Sequence, residues 1–366
     1  MKAALFSPCS YQGPAPGDGW PTPAKVYSPE AAQATFDQAL AQARTADEAG
    51  FDWVTVAEHH FSPFCITPNP MVLAGALTQT VKRAKIALLG ADIPILNPVR
   101  VAEEFAMLDS MSGGRVIAGM LRGTPNEYIT YNINPAESRG RFQEALELIR
   151  MAWTEPEPFG WQGRYYQYKT ISIWPRPVQQ PHPPIYMSGS SPESGEYAAR
   201  NRIGLGLAVT TLPLAARAAD HYREQAEKAG WTPTPENIVF RVTFHVAESD
   251  EAAAEEVEAH RTPDGSFSLA IPRAADQAIA AAGYYGRDEA QKTRVMAAFG
   301  GDLAHKIDIG AQLLGGPKTV IEQIRRIHDE VGAGVLDLIP GPVGGEAALR
   351  SIERFGREVL PAIREL

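Results

Sequence analysis

Short apolar runs alternate with amphipathic stretches of ten or more residues along most of the chain, and this alternation restricts the fold more than any other feature. Ala3–Phe6, Trp53–Ala57, Ile86–Ala91, Val116–Ala118, Ile185–Ser188, Leu205–Val209, Ile238–His245 and Leu336–Ile339 read as strands. Between them, Pro29–Ala49 closed by Gly50, a stretch from Met71, Val99–Met111, Phe142–Trp153, Pro192–Asn201, Pro213–Ala229 and a last stretch from Glu346 read as helices. Strands alternating with helices of this length imply βαβ units and a parallel sheet. Eight such units predict an α/β fold closed as a (β/α)8 TIM barrel rather than an open sheet, and 366 residues suit one such domain with insertions.

Two segments depart from the repeat. Residues 155–184 are Pro-rich, with a Gly163 turn and the pair Tyr165-Tyr166, which predicts a hairpin followed by an extended crossing. Residues 262–316 carry Gly283-Tyr284-Tyr285-Gly286 and irregular periodicity, which predicts a helical insertion over the barrel mouth. No Pro-rich linker divides the chain, so 1–366 reads as one domain.

Composition narrows the function classes. A net charge of −9, with no Lys/Arg run longer than two, opposes a nucleic-acid partner, which needs clustered cations. Cys9 and Cys65 make neither a disulfide framework nor a zinc spacing. No stretch approaches the roughly 20 apolar residues of a membrane span, and the apolar run of MKAALFSPCS is too short for a signal-peptide core. The expectation is a soluble cytoplasmic protein.

Glu58, His59, His60 and Phe61 follow the strand at Trp53–Ala57, where barrels place reacting groups. Imidazole is the proton carrier of neutral pH, and a neighbouring carboxylate can orient it. Taken alone, a histidine pair on a loop is more often solvated or structural, and no HExxH motif supports a metal. Ser188-Gly189-Ser190-Ser191-Pro192-Glu193-Ser194 follows another strand. Ser191 suits an N-cap and Pro192 the first helical position; Gly189 would let the backbone approach a ligand, and helix-terminal N–H groups bind phosphate. Ordinary capping explains part of this equally well. Arg122, beyond the strand at Val116–Ala118, and Arg139, at a helix start, could neutralise such a phosphate. Leu89-Gly90-Ala91-Asp92 ends a buried strand with small residues, as if a flat ring had to pack there. Trp20, Tyr128, Tyr131, Trp161, Tyr284 and Tyr285 are expected in loops lining an apolar pocket.

The chain resembles the bacterial luciferase-like flavin-dependent monooxygenases. The resemblance runs from Lys2 to Leu366 on four ordered motifs, GFDWVTVAEHHF, NPVRVAEEFAMLDSMSGGRV, RPVQQPHPPIYMSGSSPES and LLGGPKTVIEQI. It implies a TIM barrel that takes reduced FMN as co-substrate and uses O2, through a flavin C4a-(hydro)peroxide, to oxygenate a small organic molecule. It implies His59 beside the flavin, with His60 as its neighbour and Glu58 or His60 setting its tautomer. Arg122, Arg139, Ser190, Ser191 and Ser194 would hold the FMN phosphate. Gly90 and Ala91 would pack on the isoalloxazine through a non-proline cis peptide. Asn69 would lie near the substrate and flavin pocket. Asp92 departs from the family, standing where its members carry apolar residues, and is expected as a substrate contact or as a group behind one; Tyr128 is expected at the substrate from its place among the loop aromatics. A separate NAD(P)H:flavin reductase is expected, since no GxGxxG follows a strand, and a homodimer is expected from the family. Leu121 stands where luciferases proper carry a reactive cysteine, so a long-chain aldehyde and light emission are not implied. The alternatives are a deazaflavin-dependent oxidoreductase of the same superfamily, a non-catalytic flavin-binding protein, and a metal-dependent barrel hydrolase.

Overall fold

A computed structural model describes residues 1–14, 21–189, 191–208, 210–260 and 302–366. Trp20, Ser190, Tyr284, Tyr285 and most of the 262–316 insertion lie outside the described residues. The strands are β1 (Lys2–Ser7), β2 (Trp53–Val56), β3 (Lys85–Leu88), β4 (Ala91–Asp92), β5 (Val116–Leu121), β6 (Phe159–Gln162), β7 (Gln167–Ile171), β8 (Ile185–Ser188), β9 (Gly204–Leu207), β10 (Ile238–Val246), β11 (Gln312–Gly315) and β12 (Val335–Pro340). Eight of them, β1, β2, β3, β5, β8, β9, β10 and β12, pair in parallel in that order. β12 closes the ring on β1 through Lys2↔Val335 to Leu5↔Leu338, so the sheet is a closed (β/α)8 barrel.

The helices follow local chemistry. In α1 (Pro29–Ala49) the Ser28 hydroxyl accepts from Ala31 N at 3.1 Å, and Gly50 ends the helix at φ +92°, a left-handed conformation glycine adopts without Cβ strain. The remaining helices on the first side of the barrel are α2 (Pro70–Thr80), α3 (Pro98–Ser112), α4 (Pro125–Thr130) and α5 (Ser138–Thr154). α6 (Pro192–Arg200), α7 (Leu212–Lys228) and α8 (Asp250–Ala259) follow. The helix Pro317–Val331 buries Val320, Ile324, Ile327 and Val331, one stripe at helical spacing, each contributing about 1.5–3 kcal/mol of apolar burial.

Two expectations are corrected here. The run Ile86–Ala91 is two strands: the chain turns at Leu89-Gly90, and β4 pairs with the far end of β5 through Ala91↔Met120 and Asp92↔Leu121. The segment 262–316 does not extend as an insertion to its end. Gln312–Gly315 is a sheet strand, in register with Thr243–Val246 of β10. The other departure from the repeat is the expected hairpin. β6 and β7 are antiparallel, and Glu144 of α5 accepts from Trp161 Nε1 at 3.2 Å and from the backbone of Tyr165 and Tyr166. Trp161 is therefore a strand residue of that hairpin and not a loop residue.

Register separates the two faces of the barrel. Ala4, Trp53, Ala87, Ile117, Tyr186, Val239 and Val335 form a small cluster inside it, while Ala3, Leu5, Val54 and Ile86 face the helices. One layer nearer the C-terminal rim, Phe6, Thr55, Arg241 and Asp337 point inward. The described residues of the candidate site sit beyond that layer, on the segments that follow β2, β3, β5 and β8.

Candidate active site at the barrel rim

Two carboxylate–imidazole couples stand side by side at the end of β2. His60 Nε2 lies 3.1 Å from Glu58 Oε1, with both side chains buried. His59 Nδ1 lies 3.2 Å from Glu127 Oε1, and here the carboxylate is buried while the imidazole is one-third exposed. Neither Glu58 nor His60 sets the His59 tautomer, as the sequence suggested, because Glu58 is committed elsewhere. Its Oε1 meets His60, and its Oε2 accepts from Asp92 N at 3.0 Å, tying β4 to the end of β2.

Glu127, the partner of His59, escaped the sequence reading. It sits on α4, where it also serves a capping box: Oε2 accepts from Thr124 N at 2.9 Å and from the Thr124 hydroxyl. Burial alone would push its carboxyl up, but the His59 hydrogen bond and charge, with Thr124 and its own backbone N–H, hold it below the usual range. An ionised Glu127 only accepts, so the Nδ1 of His59 is the donor in this pair and Nε2 is the ring nitrogen facing away from it.

Asp92 completes a group of three acids. Its carboxyl is enclosed against Gly123, which has φ +84° and whose added Cβ would lie 3.2 Å from Asp92 Cγ. Burial first, then the charges of Glu58 and Glu127, raise this carboxyl well above the ordinary range, which favours its protonated form.

The second locus is the start of α6. Ser191 is the N-cap, accepting from Ser194 N at 3.3 Å, and the two hydroxyls lie 3.1 Å apart. Glu193 is held below the usual range by its own backbone N–H and the Ser191 hydroxyl, with the charges of Arg139 and Arg122 adding to the effect. Both guanidiniums therefore bear on this helix start, Arg122 from the end of β5 and Arg139 from the first turn of α5. Two arginines, two hydroxyls and the N-terminal N–H groups of a nine-residue helix are the donor set a phosphate dianion needs. Gly189 has a different role from the one expected. Its added Cβ would lie 2.3 Å from Ser194 Cβ, so the glycine admits the helix and not a ligand.

The remaining candidates fall unevenly. A Cβ on Gly90 would lie 1.9 Å from Leu121 Cγ, so the space above Gly90 belongs to Leu121 and not to a flat ring; Ala91 beside it is buried in β4. Among the described residues the cis peptides are Trp174-Pro175, Gln180-Pro181 and Gly341-Pro342; the expected non-proline cis bond at Gly90 is absent, because the chain passes this point in the ordinary trans turn into β4. Asn69 is exposed and caps α2, its side chain accepting from Met71 N at 2.9 Å. Tyr128 is on α4, not in a loop, and is fully buried; its hydroxyl donates to the carbonyl of Arg122, so it braces the β5–α4 loop and lines no opening. Tyr131 packs edge-on to His60 at 5.0 Å. Cys65 is buried, its Sγ 2.7 Å from the Thr67 hydroxyl, and burial raises its thiol; burial likewise pushes Cys9 up to about 12. Among the described residues no three His, Cys, Asp or Glu side chains are grouped to hold a metal ion, and no helix is long and apolar enough to cross a membrane.

Comparison with known proteins shows what the chain is similar to. The family profile described as luciferase-like monooxygenase matches residues 19–333. The flavin-dependent trigonelline monooxygenase oxygenase component of Acinetobacter baylyi is 25% identical over 93% of both chains. The crystal structure of monooxygenase RslO1 from Streptomyces bottropensis superposes with a TM-score of 0.78 at 26% identity, covering 99% of each chain. The oxygenating constituent of 3,6-diketocamphane monooxygenase from Pseudomonas putida, a type II Baeyer-Villiger enzyme in complex with FMN, shares the fold with a TM-score of 0.77 at 23% identity over 99% of this chain and 98% of its own.

Proposed function

The chain belongs to the luciferase-like monooxygenases, and from that membership and the rim geometry we propose that it oxygenates a small organic substrate with O2 and reduced FMN. The observation that carries the reading is one short loop. Arg122 at its start bears on the Ser191–Ser194 helix terminus, and Glu127 five residues later meets His59, so the phosphate-type donors and the imidazole are linked through a single segment. In this reading Arg122, Arg139, Ser191 and Ser194 bind the FMN phosphate. Ser190 belongs with them by its place in the motif.

Bound reduced FMN would supply the electrons that activate O2. The protein's part is proton handling and exclusion of water. Glu127 fixes the Nδ1–H tautomer of His59, which then accepts or returns a proton at Nε2. The buried Glu58–His60 couple holds β4 and the neighbouring loop in place around it. With its carboxyl protonated, Asp92 would add no negative charge beside an electron-rich ring.

The relative named as an oxygenase component supports a separate flavin reductase that delivers reduced FMN. A homodimer remains part of the proposal; exposed Val72, Met107 and Met111, on the packed helices α2 and α3, are apolar groups a second subunit would cover. Titrating the protein with FMN and with a deazaflavin, followed by fluorescence quenching, tests the cofactor. FMN is expected to bind and the deazaflavin not. Oxygen uptake from NADH is expected only when a flavin reductase is added; uptake without one, or tight deazaflavin binding, defeats the reading.

A further inference from the structure

We propose that Arg241 anchors the substrate by a carbonyl oxygen at the floor of the barrel mouth. The proposal rests on the functional reading above for the identity of the mouth as the reaction site. It stands on three contacts to the guanidinium and a fourth that holds its carboxylate partner. Arg241 Nε donates to Asp337 Oδ2 at 2.6 Å, and Asp337 Oδ1 accepts from the Thr55 hydroxyl at 2.6 Å. Nη2 donates to the Leu89 carbonyl at 3.2 Å, and the guanidinium carbon lies 3.7 Å from the centre of the Phe6 ring. One edge and one face are thus occupied. The Nη1 amino group has no hydrogen-bond partner among the described residues, and the side chain keeps 19% of its surface while Asp337 keeps 1%.

Inward-facing Phe6, Thr55 and Leu89 are buried, whereas inward-facing Ser188 on β8, Gly206 on β9 and Thr243 on β10 keep contact with solvent. A planar donor held by stacking and by an ion pair has already lost its rotamer freedom, so a ligand oxygen meeting Nη1 bears little further ordering cost. Charge decides the ligand class. Asp337 already neutralises Arg241, and ionised Glu127 stands at the same rim, so a carboxylate would add unbalanced negative charge. A neutral carbonyl takes the hydrogen bond without that cost, and its carbon is polarised by the donor.

Ligand-observed NMR titration with cyclohexanone and cyclohexanecarboxylate as probes, with and without saturating oxidised FMN, tests this. Cyclohexanone is expected to bind better than the carboxylate, and Arg241→Lys, which keeps the charge and loses the planar fork, is expected to weaken it about tenfold or more while FMN affinity by fluorescence quenching stays within threefold. The double variant Arg241→Met/Asp337→Leu removes both buried charges together and is expected to show the same loss of ketone binding. Equal binding of both probes to the wild type, or unchanged ketone binding in either variant, overturns the proposal. A matching loss of FMN affinity also overturns it, because the guanidinium then serves the flavin. Failure of the wild type to bind FMN at all defeats the functional reading instead, and the flavin-free ketone titration still tests Arg241.

Discussion

Replacing Asp92 by Asn tests whether three acids share one buried corner with only two charges. In the unfolded chain an Asp titrates near 3.9, about three pH units below neutrality. In the fold, burial and the Glu58 and Glu127 charges raise it well above that range. Between those two limits the folded chain keeps a proton that the unfolded chain releases. Stability therefore falls as pH rises through the window, by up to about 1.4 kcal/mol per pH unit, and the penalty is absent below the unfolded value. Asn binds no proton in either state and removes this slope. Between pH 5 and pH 7 the Asn variant is expected to gain on the wild type by at most about 2.7 kcal/mol, which for a chain of this length is a few degrees in Tm. Thermal unfolding followed by circular dichroism at pH 5, 6, 7 and 8 measures it. Other titrating groups are common to both proteins, so their contribution cancels in the difference. Parallel Tm curves, or an Asn deficit that grows with pH, would refute the buried neutral acid.

Glu127→Gln removes the acceptor that orients His59 while sparing the capping geometry through its amide oxygen; turnover at saturating FMN is expected to fall about 10- to 100-fold, with the FMN Kd within threefold, as steady-state oxygen uptake and fluorescence quenching report. Arg122→Ala and Ser194→Ala each remove a donor to charged oxygen and are expected to weaken FMN by about 10- to 150-fold in the same quenching titration, with kcat at saturation largely kept. Gly90→Ala drives a Cβ into Leu121 and is expected to cost about 1–3 kcal/mol in urea unfolding; adding Leu121→Ala should recover much of it, and simple additivity of the two losses would contradict the packing described here.

Elements whose cause is local were legible in the sequence. α1 runs from Pro29 to Ala49 as read, because Ser28, Pro29 and Gly50 are a cap, a first-turn residue and a left-handed stop within the segment itself. The His59–His60 pair was visible as polar residues directly after an apolar strand. What was not legible depends on contacts between distant segments. Glu127 lies 68 residues from His59, and the only signal in its neighbourhood, Thr124 followed three residues later by Glu, announces a helix cap and says nothing of the second carboxylate oxygen. Gly90 was read for a ring platform because glycine reports only that something comes close; that the something is Leu121 requires the β4–β5 pairing. β11 was lost inside an expected insertion since its partner is the far end of β10, and two leucines before a Gly-Gly pair carry no period to distinguish strand from loop.

In the proposed function the two adjacent histidines would divide the work by what each has left exposed. Both face a buried carboxylate at nearly the same distance, 3.1 and 3.2 Å, so hydrogen bonding alone does not distinguish them. Solvent access does. The His60 ring is closed in by Glu58 and the edge of Tyr131, and the oxygen of Glu58 that it leaves free is taken by the backbone of Asp92. His60 thus belongs to the girder that holds β4 in the rim. His59 presents one-third of its side chain outward, and Glu127 leaves Nε2 as its open end. A mobile proton needs a group that a ligand can reach and whose tautomer the protein has already chosen, and of these two couples the second is the one that would meet both conditions.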